Sequence, residues 1–93
     1  MGSAVTPGSG ERDPTAAAET FGLLSDETRV RILVVLAEAP AEGVRFSELR
    51  SRVGVSDSGQ FNYHLDRLRD RLVTRTGEGY ALTETGAAVA SLL

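Results

Sequence analysis

Apolar residues in the second half of the chain recur at helical spacing. Phe61, Leu65, Leu68 and Leu72 fall at i, i+4, i+7 and i+11, one stripe of an amphipathic helix predicted over Asp57 to Arg71. At 1.5 Å per residue that helix is about 22 Å long, enough to lie across a DNA major groove. Its opposite face carries Gly59, Tyr63, Asp66 and Asp70, flanked by Gln60, Asn62 and Arg67. Amide, phenol and guanidinium groups of this kind hydrogen-bond base edges and phosphates.

The elements before it follow from the same reading. Asp13-Pro14 is a helix start, with Asp as N-cap and Pro in the first turn, for a helix from about Pro14 to Leu24. Ser25 caps a second helix, about Asp26 to Ala39. Its apolar surface (Val30, Ile32 to Leu36, Ala37) is broad enough for a central core element touching several neighbours. Pro40 ends it, Ala41 to Gly43 turn the chain, and Val44-Arg45-Phe46 reads as a very short strand. Ser47 to Val53 is a short helix capped by Ser47. Gly54 supplies a tight turn of positive φ, Val55 packs inward, and Ser56 caps the next helix. Short helix, Gly-bearing turn and longer helix make a helix-turn-helix arrangement.

After Leu72 the period changes. Val73 to Thr76 and Tyr80 to Thr83 alternate at period two around Gly77-Glu78-Gly79, a β-hairpin over 73–83 that must pack on the helices to be stable. Thr83-Glu84-Thr85 starts a last helix, Gly86 to Leu93, small and apolar; it packs on its own core or forms a subunit interface. Residues 1–13 hold three Gly, two Ser and a Pro and read as a flexible tail ahead of one domain over 14–93.

Composition narrows the function. With 93 residues there is room for one small core and none for a large enzyme cleft. There is no Cys and a single His, so neither a disulfide framework nor a thiolate metal site is available, and no cofactor is expected. Paired carboxylates in a pocket, a nucleophile–base pair and a Walker-type glycine loop are all missing, so no enzyme is expected. No apolar run approaches about 18 residues and no signal peptide is indicated, which makes the expected location cytoplasmic with no membrane partner.

All ten basic residues are Arg and the net charge is −3, a composition suggestive of a GC-rich genome and of a salt-loving organism. The acidic total argues against non-specific nucleic-acid binding. Its distribution does not. Residues 1–43 hold three Arg against seven acids, residues 44–75 seven Arg against four acids, and residues 76–93 two acids and no Arg. The positive region is the one containing the amphipathic helix.

The order helix, helix, short strand, helix-turn-helix, hairpin, helix is mainly α with a small β-hairpin (α-α-β-α-α-β-β-α), that of a winged helix-turn-helix domain. At Leu24 to Leu33 the sequence Leu-Ser-Asp-Glu-Thr-Arg-Val-Arg-Ile-Leu resembles the opening L-x-D-x-T-R-x-x-I-L of ArsR-type transcriptional regulators, particularly archaeal members. Phe46-Ser47-Glu48-Leu49 and Tyr63-His64-Leu65-Asp66-Arg67-Leu68, similar to the family's x-H-L-x-x-L, follow in order. Tyr80 to Gly86 resembles the strand-to-helix exit of many winged helices. The resemblance covers about Phe21 to Leu93. It implies a sequence-specific regulator binding double-stranded DNA as a homodimer through its first and last helices. The two reading helices would then enter successive major grooves about 34 Å apart, with the wing on the flanking backbone. Family members that sense metals often use Cys in the short third helix. Here Ser47 to Arg52 has none, and that site does not carry over.

Gln60 and Asn62 can each pair bidentately with adenine, and Arg67 can reach guanine or a phosphate. Tyr63 is placed to stack on sugar or touch a thymine methyl. Ser58 and Gly59 either bring backbone amides to a phosphate or simply cap the helix. Arg75 and Thr76 on the wing are phosphate candidates or plain solvated hairpin. His64, some 60–70° off the buried stripe, contacts a phosphate or packs at the core edge. Asp66 and Asp70 either accept from a cytosine amino group or lie beyond the groove. The competing reading is a winged-helix module for protein–protein contact in a transcription-related assembly, without direct DNA binding.

Overall fold

A computed structural model describes residues 13–93; the tail expected over 1–13 lies outside the described residues apart from Asp13. Five helices and a two-stranded antiparallel hairpin follow one another as α1 (Pro14–Leu23), α2 (Glu27–Ala37), α3 (Phe46–Val53), α4 (Ser58–Leu68), β1 (Val73–Thr76), β2 (Gly79–Leu82) and α5 (Glu84–Ala90). This is a winged-helix-like topology, mainly α as the pattern predicts.

The central helix is α2, packed against α3, α4, α5 and β2. It buries Ile32, Leu33 and Leu36, which meet Leu49 and Val53 of α3, Phe61, Leu65 and Leu68 of α4, and Leu72, Val73 and Tyr80 in one core. Phe61 is fully enclosed and meets the Phe46 ring edge-on, with centroids 5.3 Å apart. By contrast, α1 buries only Leu23, while Phe21 on the same helix is 69% exposed.

The hairpin pairs Val73 with Leu82 and Thr76 with Gly79, closing on Gly77-Glu78. The expected strand at Val44 to Phe46 is a single bridge. Val44 and Tyr80 exchange both backbone hydrogen bonds at 2.9 and 2.8 Å, and Arg45 leads straight into α3. Gly79 permits that approach, because a Cβ there would stand 2.6 Å from the Val44 carbonyl oxygen. The second strand therefore begins one residue earlier than the alternation suggests.

Several predicted boundaries move. Asp13 caps α1 as expected, its carboxylate accepting from the Thr15 and Ala16 amides. The cap of α2, however, is Asp26, which accepts from the Thr28 and Arg29 amides at 2.8 and 3.3 Å, while the Ser25 hydroxyl turns back to the Gly22 carbonyl. Asp57, not Ser56, caps α4, accepting from the Gln60 amide at 3.0 Å. Ser47 lies inside α3, whose N-cap is Arg45 with no side-chain cap. Thr83 caps α5 through the Gly86 amide, starting that helix two residues earlier than the apolar run does.

The largest shift is at the end of α4. The helix stops at Leu68, with Arg69 extended and Asp70 in the left-handed region at φ 70°. Leu72 is still fully buried, so the apolar stripe runs on although the helix does not. The helix is consequently about 16 Å long, and Asp70 is not on its outer face.

Candidate nucleic-acid interface

The outer face of α4 is laid open by the burial of the inner one. Phe61, Leu65 and Leu68 are fully enclosed, and Ser58, Gly59, Gln60, Asn62, Tyr63, Asp66 and Arg67 are all exposed, Tyr63 at 56%. An exposed tyrosine beside two amides and a guanidinium is the surface predicted from the spacing.

The N-terminus of this helix differs from the rest. The Asp57 carboxylate already sits at the positive end of the helix dipole and takes up the Gln60 amide. A phosphate approaching the Ser58 and Gly59 amides would meet that fixed negative charge. The cap is Asp57 itself, and Ser58 and Gly59 are the first two residues of the helix behind it. Arg75 is exposed on β1, and its guanidinium carbon stands 5.4 Å from the Tyr80 ring centroid. Thr76 is half-buried and donates its hydroxyl to the Glu42 carbonyl at 3.3 Å, tying the wing to the turn before Val44.

Most of the positive charge in the middle of the sequence is consumed within the fold. Arg45 pairs with Glu78, Arg52 with Glu48 at 3.9 Å, Arg69 with Asp66 at 3.1 Å and Arg71 with Glu19; outside that region Arg31 pairs with Glu27. The Arg69 pair also offsets the charge of Asp66, one of the two aspartates expected on the outer face of the helix. These pairs are exposed and contribute little stability, each in the range of about 0–1 kcal/mol. Their effect is on the surface potential. Among the described residues, Arg67 on α4 and Arg75 on the wing are the arginines engaged with neither a carboxylate nor a main-chain carbonyl.

Two arginines turn inward, and the sequence reading missed both. Arg29 and Arg50 each occupy an apolar stripe: Arg29 with Ile32, Leu33 and Leu36, and Arg50 with Phe46, Leu49 and Val53, at i, i+3, i+4 and i+7. That spacing was the available signal. A guanidinium on a buried stripe has to find acceptors inside the fold. The Arg50 Nη1 donates to the carbonyls of Val55 and Ser56 at 3.1 and 3.0 Å, fastening the turn between α3 and α4. Gly54 opens that turn at φ 90°. Arg50→Ala is expected to cost about 1.5–3 kcal/mol, reduced by the turn's partial exposure. Urea denaturation checks this, and a loss under about 0.5 kcal/mol, the level of ordinary surface changes, would show that the turn holds without it.

Arg29 is 8% exposed. Its Nε donates to the Leu23 carbonyl at 2.8 Å, and its Nη1 faces His64 Nδ1 at 3.1 Å. His64 is 6% exposed and also lies 3.9 Å from the Asp26 carboxylate. The imidazole is thus turned into the core edge and not toward a phosphate. The Asp26 carboxyl is held below its usual value. Burial alone pushes it up, but the Arg29 and Thr28 amides, with His64 and the Arg29 guanidinium, outweigh that.

No group of three or more His, Asp or Glu side chains able to hold a metal is present among the described residues. Nor is any described helix long and apolar enough to cross a membrane. No curated protein and no solved structure matches the chain. A family model does match over residues 17–93, from within α1 to the last residue, and the chain belongs to that family, described as a domain of unknown function (DUF7347).

Proposed function

We propose that the domain is a sequence-specific, duplex-DNA-binding transcriptional regulator of the ArsR type it resembles, with α4 in the major groove and the β1–β2 hairpin as wing. One observation carries this reading. The two arginines engaged with neither a carboxylate nor a main-chain carbonyl among the described residues are the ones on the outer face of α4 and on the wing, where a winged helix meets the duplex. Gln60, Asn62 and Tyr63 supply the groove-reading surface beside Arg67.

The exposed Phe21 and Leu92, at 69% and 84%, and the near absence of buried residues in α1 support a second copy of the chain joined through the first and last helices. Selection from a random duplex library is expected to enrich one motif. Against that motif, Asn62→Ala and Arg67→Ala should each lose about 1–3 kcal/mol of discrimination at one position. Arg75→Ala should weaken all duplexes alike. Absence of duplex binding even at low salt overturns the reading and leaves the wing and α4 as a protein-docking surface.

A further inference from the structure

His64 is the only histidine in the chain, and the chain has no cysteine. It is therefore the only side chain whose ordinary charge change falls between pH 5 and 8. It is also the one titratable group of the reading helix that is buried. A guanidinium has donors and no acceptor, so the 3.1 Å contact from Arg29 Nη1 requires His64 Nδ1 to accept. An imidazole that accepts at Nδ1 is the uncharged ring with its proton on Nε2. The same arginine holds the end of α1 through the Leu23 carbonyl, so one side chain ties α1, α2 and α4 together.

Acid reverses the chemistry of this contact. A proton on Nδ1 turns it into two donors, both cationic, facing each other. Two charged groups stand close to the ring, Arg29 on α2 and Asp26 at its N-cap; the Leu23 carbonyl at the end of α1 meets Arg29, and on α4 the neighbouring Tyr63 ring lies edge-on at 5.3 Å. The anion within reach is Asp26, 3.9 Å from the same Nδ1. We propose that the Arg29–His64 contact is a lock on the seat of the reading helix, opened on acidification as His64 leaves Arg29 for Asp26, and that duplex binding weakens as it opens.

The affinity half of this proposal rests on the DNA reading above; the lock itself does not. The first measurement therefore uses the free wild-type protein, with nitrogen-15 spectra of the imidazole and of the Arg29 guanidinium between pH 7.5 and 5. Expected are a neutral ring protonated on Nε2 and an Arg29 signal that shifts together with the imidazole titration. A ring protonated on Nδ1 at neutral pH, or an Arg29 signal indifferent to the titration, overturns the lock. The second measurement is affinity for the selected duplex over the same range. Loss of a buried hydrogen bond from a charged group predicts binding weaker by about tenfold at the acid end. In His64→Asn the amide oxygen can replace Nδ1 as acceptor without titrating, and affinity should stay flat. Tighter wild-type binding in acid would mean that His64 acts as a phosphate contact, and would overturn the proposal. No duplex binding at any pH removes the DNA reading and the affinity half with it, while the spectra still decide the lock.

Discussion

Phe61→Ala is expected to destabilise the domain by about 3–5 kcal/mol, the usual cost of emptying an aromatic site in a core. Phe61 is fully enclosed, is the first anchor of α4, and meets Phe46 edge-on at the start of α3. Its removal would open a cavity between the two helices of the helix-turn-helix and also forfeit the aromatic pair, worth about 0.5–1.5 kcal/mol more. A single domain has only about 5–15 kcal/mol in total. Thermal unfolding should therefore fall by tens of degrees, at about 4–8 °C per kcal/mol for this size. A loss below about 1 kcal/mol would mean that α4 is not seated by this residue. Phe61→Leu, which refills most of the volume, should recover much of the loss.

Gly86→Ala is the second large effect, and its sign runs against helix propensity. Alanine is favoured over glycine within a helix by about 1 kcal/mol. At Gly86, however, a Cβ would stand 2.0 Å from the Leu72 carbonyl oxygen, closer than any real contact allows. That carbonyl cannot move aside cheaply, because it accepts the Thr83 amide at 3.0 Å. The Thr83 hydroxyl in turn donates to the Arg71 carbonyl at 2.9 Å and accepts the Gly86 amide. Backbone is thus pinned to backbone where α5 leaves the hairpin. We expect a loss of about 3 kcal/mol, at the upper end for overpacking, or detachment of α5 seen as lost amide protection over 84–90. Gly22→Ala is the matched control. Nothing lies within 4 Å of the Cβ position at Gly22 in α1, so that variant should be neutral or slightly stabilised. Equal stability of the two variants would contradict the contact.

The element order and the core were readable because burial imposes periodicity. Ile32, Leu33 and Leu36, then Leu49 and Val53, then Phe61, Leu65 and Leu68 are all at helical spacing and all buried. The same rule misplaced the end of α4, because burial is not bound to one conformation. Leu72 reaches the core from the turn after the left-handed Asp70, and nothing in the spacing separates that from another helical turn. Caps were misassigned by one residue where two acceptors compete. At Ser25-Asp26 and Ser56-Asp57 the carboxylate took the role, as a charged acceptor binds amides more strongly. Of the candidate interface, the polar face of α4 was legible and the state of the charges was not. Local charge balance counts arginines, but the partners of Arg45 and Arg71 lie 33 and 52 residues away in sequence. His64 stood open between two roles for the same reason, since Arg29 comes from another helix.

That internal pairing of arginines has a thermodynamic consequence for the proposed complex. Each phosphate neutralised on duplex DNA releases condensed counterions and adds about 0.9 to the salt slope of the binding constant. Among the described residues Arg67 and Arg75 are the arginines engaged with neither a carboxylate nor a main-chain carbonyl; with Arg67 reading a base and Arg75 on the backbone, a dimer would make about two phosphate contacts, for a slope near −1.8. Proteins with 6–10 such contacts respond far more steeply to ionic strength. A duplex complex built on this face would draw a small share of its free energy from counterion release and a large one from contacts at the groove floor, and it would persist in brine that strips more basic regulators from their sites.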